Sequence, residues 1–87
     1  MTLSFPNRSR SYDAPRSRVR FWGHDGAMEV AFFLNEDALF LIDPKLPKQE
    51  DEILRAFDTN RERITAAAQR AYTGHPTSAF TLTAKDI

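Results

Sequence analysis

Arg18, Arg20 and Trp22, spaced two apart, and Phe33 beyond them combine two guanidinium groups with two flat rings. Guanidinium forks recognise phosphate or carboxylate oxygens, and rings offer faces for stacking. Asn60 and Arg61 form a second candidate set, a neutral amide and a cation at the edge of an apolar helical stripe, suited to a small-ligand pocket. The plainer expectation for Asn60 is a hydrogen bond to backbone, since a buried amide without partners costs about 1–3 kcal/mol. His24-Asp25 has the composition of an acid–base pair, but adjacent strand residues point to opposite faces and Asp25 is needed by a turn. His24 and His75 match no metal-ligand spacing, and His75 lies in a Gly74-His75-Pro76 turn. No glycine-rich phosphate loop and no serine–histidine elbow is present. The expectation is therefore no catalytic residue, no metal ligand and no cofactor.

The elements that position these residues begin with a hairpin over 17–34. Asp-Gly between two apolar-patterned runs is a strong hairpin signal. Taking Asp25-Gly26 as the central pair of a type I′ turn places Phe21 opposite Val30 and Val19 opposite Phe32. One face then collects Val19, Phe21, Gly23, Met28, Val30, Phe32 and Leu34 and must be the core side. The other carries Arg18, Arg20, Trp22, His24, Glu29, Ala31 and Phe33. An N-terminal arm, residues 1–16 with Tyr12 as its apolar anchor, docks on the body, with an optional strand over 2–5; whether it covers that second face is left open by the pattern. A short helix follows over 36–42, with Asn35 as N-cap and Glu36 and Asp37 in the first turn. Asp43-Pro44 ends it. A long helix is expected over 48–73, opened by Pro47 and closed by Gly74 and Pro76. Its buried stripe is Ile53, Phe57, Ile64, Ala67, Ala68 and Ala71. A last strand over 78–84 is expected antiparallel to an edge of the hairpin. The fold class is α+β: a small antiparallel sheet packed by a short and a long helix, in one domain over 1–87.

Composition narrows the function classes. The chain has 87 residues, no cysteine and zero formal net charge, so neither a disulfide framework nor a thiolate metal site is available. Charge is nevertheless uneven. Five arginines face only Asp13 over residues 1–20, whereas seven acids face Lys45, Lys48 and Arg55 over residues 35–58. Apolar runs such as Ala31–Leu34 are far too short for a bilayer. No signal peptide is expected, and the cytoplasm is the expected compartment.

Phe5-Pro6, Tyr12-Asp13, the run from Val19 to Asp25, Met28-Glu29-Val30, Ala38-Leu39, Phe57-Asp58, Asn60-Arg61, Ala68, Tyr72 and Leu82-Thr83 resemble the pattern of a small bacterial family of unknown function, numbered 1488. The resemblance spans the chain. It implies a cytoplasmic bacterial protein with the topology above and supplies no activity and no catalytic residues. The expected function is a non-enzymatic binding or accessory module that meets a protein partner, or a second copy of itself, through the Arg18–Arg20–Trp22–Phe33 face. RNA or single-stranded DNA binding through that face is the alternative, opposed by zero net charge and the lack of an RNP-like motif. A small-ligand site near Asn60 is the second alternative.

Overall fold

Gly26 sets the hairpin. In the computed structural model, which describes residues 3–87, it takes φ +61° at the first central position of a two-residue turn with Ala27. The turn joins β3 (Arg18–Asp25) to β4 (Met28–Asn35). Asp25 lies opposite Met28, Phe21 opposite Phe32 and Val19 opposite Leu34. The turn is thus one residue further along than expected, and the pairing register is shifted by two. Only the glycine needs positive φ here, as at the first central position of a type II′ turn. A shift of two leaves each side chain on its expected face, because strand alternation has period two. Val19, Phe21, Val30, Phe32 and Leu34 are all buried on the inner face. Met28, expected with them, sits at the hairpin tip and is 49% exposed.

β1 (Leu3–Ser4) and β2 (Arg10–Asp13) pair antiparallel with the remaining edge of β3, β1 at its end and β2 at its start. The arm therefore widens the sheet through β1 and β2, which answers the question the sequence pattern leaves open. Thr2, the first residue of the expected 2–5 strand, lies outside the described residues. Gly23 makes the return of the arm possible. A Cβ there would meet Phe5 Cε1 at 2.9 Å and Leu3 Cδ1 at 3.2 Å, so its bare backbone is what admits both side chains to the inner face. Phe5 then packs against Phe21 and Phe32, at ring distances of 6.3 and 5.9 Å.

β5 (Phe80–Leu82) is shorter than the expected 78–84 strand and runs parallel, not antiparallel, to β4, with Phe32 opposite Phe80 and Leu34 opposite Leu82. A parallel neighbour needs a crossover of a dozen or more residues, and the helices supply it. The result is a mixed, mostly antiparallel sheet of order β1-β3-β4-β5 with β2 beside β3, and an α+β fold.

α1 (Glu36–Ile42) has the expected bounds, although Asn35 does not cap it with its side chain. The expected long helix is two helices, α2 (Glu50–Thr59) and α3 (Arg61–Ala71). Asn60 separates them at φ −107°, ψ 19°, and α3 ends before Thr73. The stripe survives the break: Ile53 and Phe57 from α2 and Ile64, Ala67 and Ala68 from α3 are buried with the sheet in one cluster. At about 1.5–3 kcal/mol per large buried side chain, Phe21, Phe32, Phe57, Ile53 and Ile64 carry most of the packing.

Two tyrosines tie the layers together. Tyr12 OH donates to the Glu36 carboxylate, which is only 5% exposed and lies 3.6 Å from Lys48 Nζ. Tyr72 OH donates to Asp25 Oδ2 at 2.5 Å. The Glu36 hydrogen bond, with burial and the nearby carboxylates adding to it, raises the Tyr12 pKa from 10.0 to about 12. Burial first, then Asp25, does the same for Tyr72. A raised pKa means that the fold favours the neutral phenol, so this stabilisation is complete below pH 10 and is lost as pH rises through about 12. Tyr12→Phe is expected to cost about 2 kcal/mol at pH 7, the scale of a hydrogen bond to a charged acceptor. In urea melts from pH 8 to 12 its stability should decline less steeply than that of the wild type; parallel declines would contradict the assignment.

Candidate functional site

Among the described residues the outer face of the sheet carries no helix, since the buried apolar residues of α1, α2 and α3 all join the inner-face cluster. Strand alternation brings Arg18, Arg20 and Trp22 of β3 onto it, together with Phe33 of β4 directly opposite Arg20. Asp13 of β2 lies opposite Arg18 and accepts from its Nε at 3.0 Å. The guanidinium groups lie on the rings. Arg18 Cζ is 3.7 Å from the Phe33 centroid, and Arg20 Cζ is 5.1 Å from that of Trp22 and 5.9 Å from Phe33. Such contacts contribute about 0.5–1 kcal/mol each at exposed sites. Trp22 and Phe33 are half-buried and Arg20 is exposed. Arg20 makes no ion pair among the described residues. A shallow groove beside Trp22, about 360 Å³, runs to Met28, Glu29 and the 76–79 loop.

Asn60 and Arg61 lie apart from this face, at the α2–α3 break. Asn60 Nδ2 donates to the Ala56 carbonyl at 2.8 Å. Arg61, 8% exposed, donates through Nη2 to the Arg8 carbonyl at 2.9 Å and to Asp58 Oδ1 at 3.1 Å. Arg10 grips the same carboxylate from β2 through both Nε and Nη2, at 3.0 and 2.9 Å. Burial pushes the Asp58 pKa upward, but the hydrogen bonds and charges of Arg10 and Arg61 outweigh it and hold the carboxyl below its ordinary 3.8. A depression of about 570 Å³ opens beside these groups, with Phe5, Arg8, Asn60, Arg61 and Arg63 on its walls.

Arg8, Arg10, Asp13 and Asp58 are not among the site residues expected from the sequence. The Asp58–Arg61 spacing of three, one helical turn, was the available signal. The partnership of Arg10 with Asp58 depends on β2, which composition alone does not reveal. His24 lies opposite Glu29 on the outer face and His75 is in an exposed loop. Among the described residues no group of three His, Cys, Asp or Glu side chains is placed to hold a metal ion, and no helix is long and apolar enough to cross a membrane.

These features define a small α+β fold with one sheet face packed by helices and one left open. The chain belongs to the DUF1488 family, described as a protein of unknown function, which it matches over residues 3–82. A protein of unknown function from that family, from Shewanella loihica PV-4, has a crystal structure at 1.60 Å resolution. It matches with a TM-score of 0.70 and 15% sequence identity, covering 91% of this chain and 93% of that one. At that identity the likeness shows the fold alone. No curated protein matches the chain.

Proposed function

We propose that this protein is a non-enzymatic binding module of the bacterial cytoplasm that takes an acidic polypeptide segment on the outer face of its sheet. The observation that carries this reading is that the arm extends the edge of the sheet and the helices pack on its inner face, leaving Arg20, Trp22 and Phe33 with no further layer of described residues over them. Arg20 is the cation of that face without a carboxylate partner, and a glutamate or aspartate from outside would complete it. The groove beside Trp22 and Met28 has room for a neighbouring apolar side chain. Base stacking is the poorer fit. The ring faces that a nucleotide would use already carry guanidinium groups, with Arg18 at 3.7 Å from Phe33, and the chain has no net positive charge.

Trp22 is the chain's single tryptophan and reports on the site directly. An acidic decapeptide of Glu and Asp with one central Leu is expected to shift Trp22 emission saturably. Arg20→Ala is expected to weaken that binding at least about tenfold, the loss of roughly 1.4 kcal/mol. An unresponsive tryptophan would overturn the proposal. So would a stronger response to a single-stranded oligonucleotide, or a concentration-dependent dimer that buries Trp22. Those two results would point instead to nucleic acid and to a second copy of the chain.

A further inference from the structure

The outer face repeats one cross-strand pairing in two neighbouring rows, and only one row is complete. β2 presents Asp13 directly opposite Arg18 of β3, and Ser11 directly opposite Arg20. In the first row the acid meets its guanidinium, Arg18 Nε lying 3.0 Å from Asp13 Oδ2. In the second row the guanidinium meets a hydroxyl. Ser11 and Arg20 are both exposed, and Arg20 makes no ion pair among the described residues. Side chains directly opposite across an antiparallel pair have Cβ atoms about 4.5–5.5 Å apart, so a group carried by Ser11 Oγ lies within reach of the Arg20 guanidinium. A phosphate fits that place. It carries close to two negative charges at neutral pH and offers its oxygens to the two-pronged edge of arginine. Asp13, two residues along the same strand, is already held by Arg18 and lies 3.8 Å from Arg16, so its charge is offset before the phosphate arrives.

The segment around Ser11 also suits the enzyme that would add the phosphate. β2 is extended and pairs with β3 along one edge only. Arg8 and Arg10 stand three and one residues before Ser11, and the Arg8 side chain is exposed. Kinases choose substrates by such charge patterns. We propose that Ser11 is a phosphorylation site for an ATP-dependent serine kinase, and that its phosphate pairs with Arg20 and closes the sheet face to acidic segments. In the transfer, Ser11 Oγ attacks the γ-phosphorus of ATP. The Oγ–P bond forms, the bridging P–O bond to ADP breaks, and the hydroxyl proton passes to a base of the kinase. The pairing with Arg20 stands on the strand register alone, whereas its blocking effect rests on the sheet-face reading above.

The test treats the folded full chain with ATP and a serine kinase that selects arginine at the third position before its target. Peptide mapping is expected to place a phosphate on Ser11, and Ser11→Ala to lose it. In a ³¹P NMR titration the phosphoserine is expected to take up its second proton at least about 0.5 pH unit lower in the wild type than in Arg20→Ala, because the guanidinium favours the dianion. The phosphorylated chain is expected to bind the acidic decapeptide at least about tenfold more weakly than the unmodified chain. The proposal is overturned if Ser11 gains phosphate only after denaturation, if the two titrations coincide, or if both forms bind the peptide equally. Coupling of the phosphate to Arg20 in a chain that never binds the peptide would overturn the sheet-face reading and the blocking effect, and leave the Ser11–Arg20 pairing standing.

Discussion

Replacing Phe57 by alanine is expected to destabilise the protein by about 3–5 kcal/mol, the upper range for truncating a buried aromatic. Phe57 is fully buried and its ring stands 5.1 Å from that of Phe21, which joins the helical layer to the sheet. The Arg61 guanidinium lies 4.9 Å from the other participant in this contact, the Phe57 ring centroid. The alanine variant therefore leaves a cavity in the core and removes the platform under a nearly buried cation. Leu54→Ala, one turn earlier and only partly buried, serves as the control and is expected to cost about 1 kcal/mol. Urea denaturation of both variants checks the pair. Equal losses would mean that the α2 core contact is not centred on Phe57.

Asp58→Ala is expected to cost about 2 kcal/mol, well above the effect of Arg10→Ala. Asp58 accepts from two arginines of unequal burial: the Arg10 side chain is 33% exposed and the Arg61 side chain 10% exposed. Removing Arg10 takes away a partly solvated pair, typically worth below about 1 kcal/mol. Removing Asp58 strands Arg61, which cannot lose its charge and has little access to water. The pH dependence follows from the lowered pKa of Asp58. Its contribution is present above the ordinary 3.8 and fades as pH falls through its lower folded value. Acid titration of wild type and Asp58→Ala should thus converge in stability below pH 3.8. A constant gap across that window would show that the carboxylate is not the stabilising group.

The hairpin, its faces and the helical stripe were legible because each rests on a local period. Val19, Phe21, Val30, Phe32 and Leu34 alternate so regularly that even a register shifted by two buried the same side chains. The shift itself arises because Asp25-Gly26 reads as a type I′ pair, whereas Gly26 serves as the first central residue of a Gly26-Ala27 turn. The helix break at Asn60 was hidden because Phe57 and Ile64 continue one apolar stripe through it. The Asn60 side chain bonding back to Ala56 marks the interruption, and only the tertiary packing on both sides makes it a break. β2 was missed for a different reason. Arg10–Asp13 joins an existing edge by backbone hydrogen bonds and has no apolar alternation of its own. As for the candidate sites, alternation sufficed to gather Arg18, Arg20, Trp22 and Phe33. The depression beside Asn60 depends on Phe5 and Arg8 arriving from the far end of the chain, which no local pattern encodes.

The parallel placement of β5 has a consequence for the order in which the protein assembles. Every other strand pair joins segments close in sequence, whereas Phe80 reaches Phe32 across more than half the chain. Closing so large a loop is entropically unfavourable until the intervening segment is compact. The hairpin and helices are therefore expected to form first, with β4 presenting a bare edge beside Val30, Phe32 and Leu34 until the last strand docks. That late closure is the expected slow step of folding. A chain still lacking its C-terminal residues, as during synthesis, is held in the state most open to pairing with a neighbour.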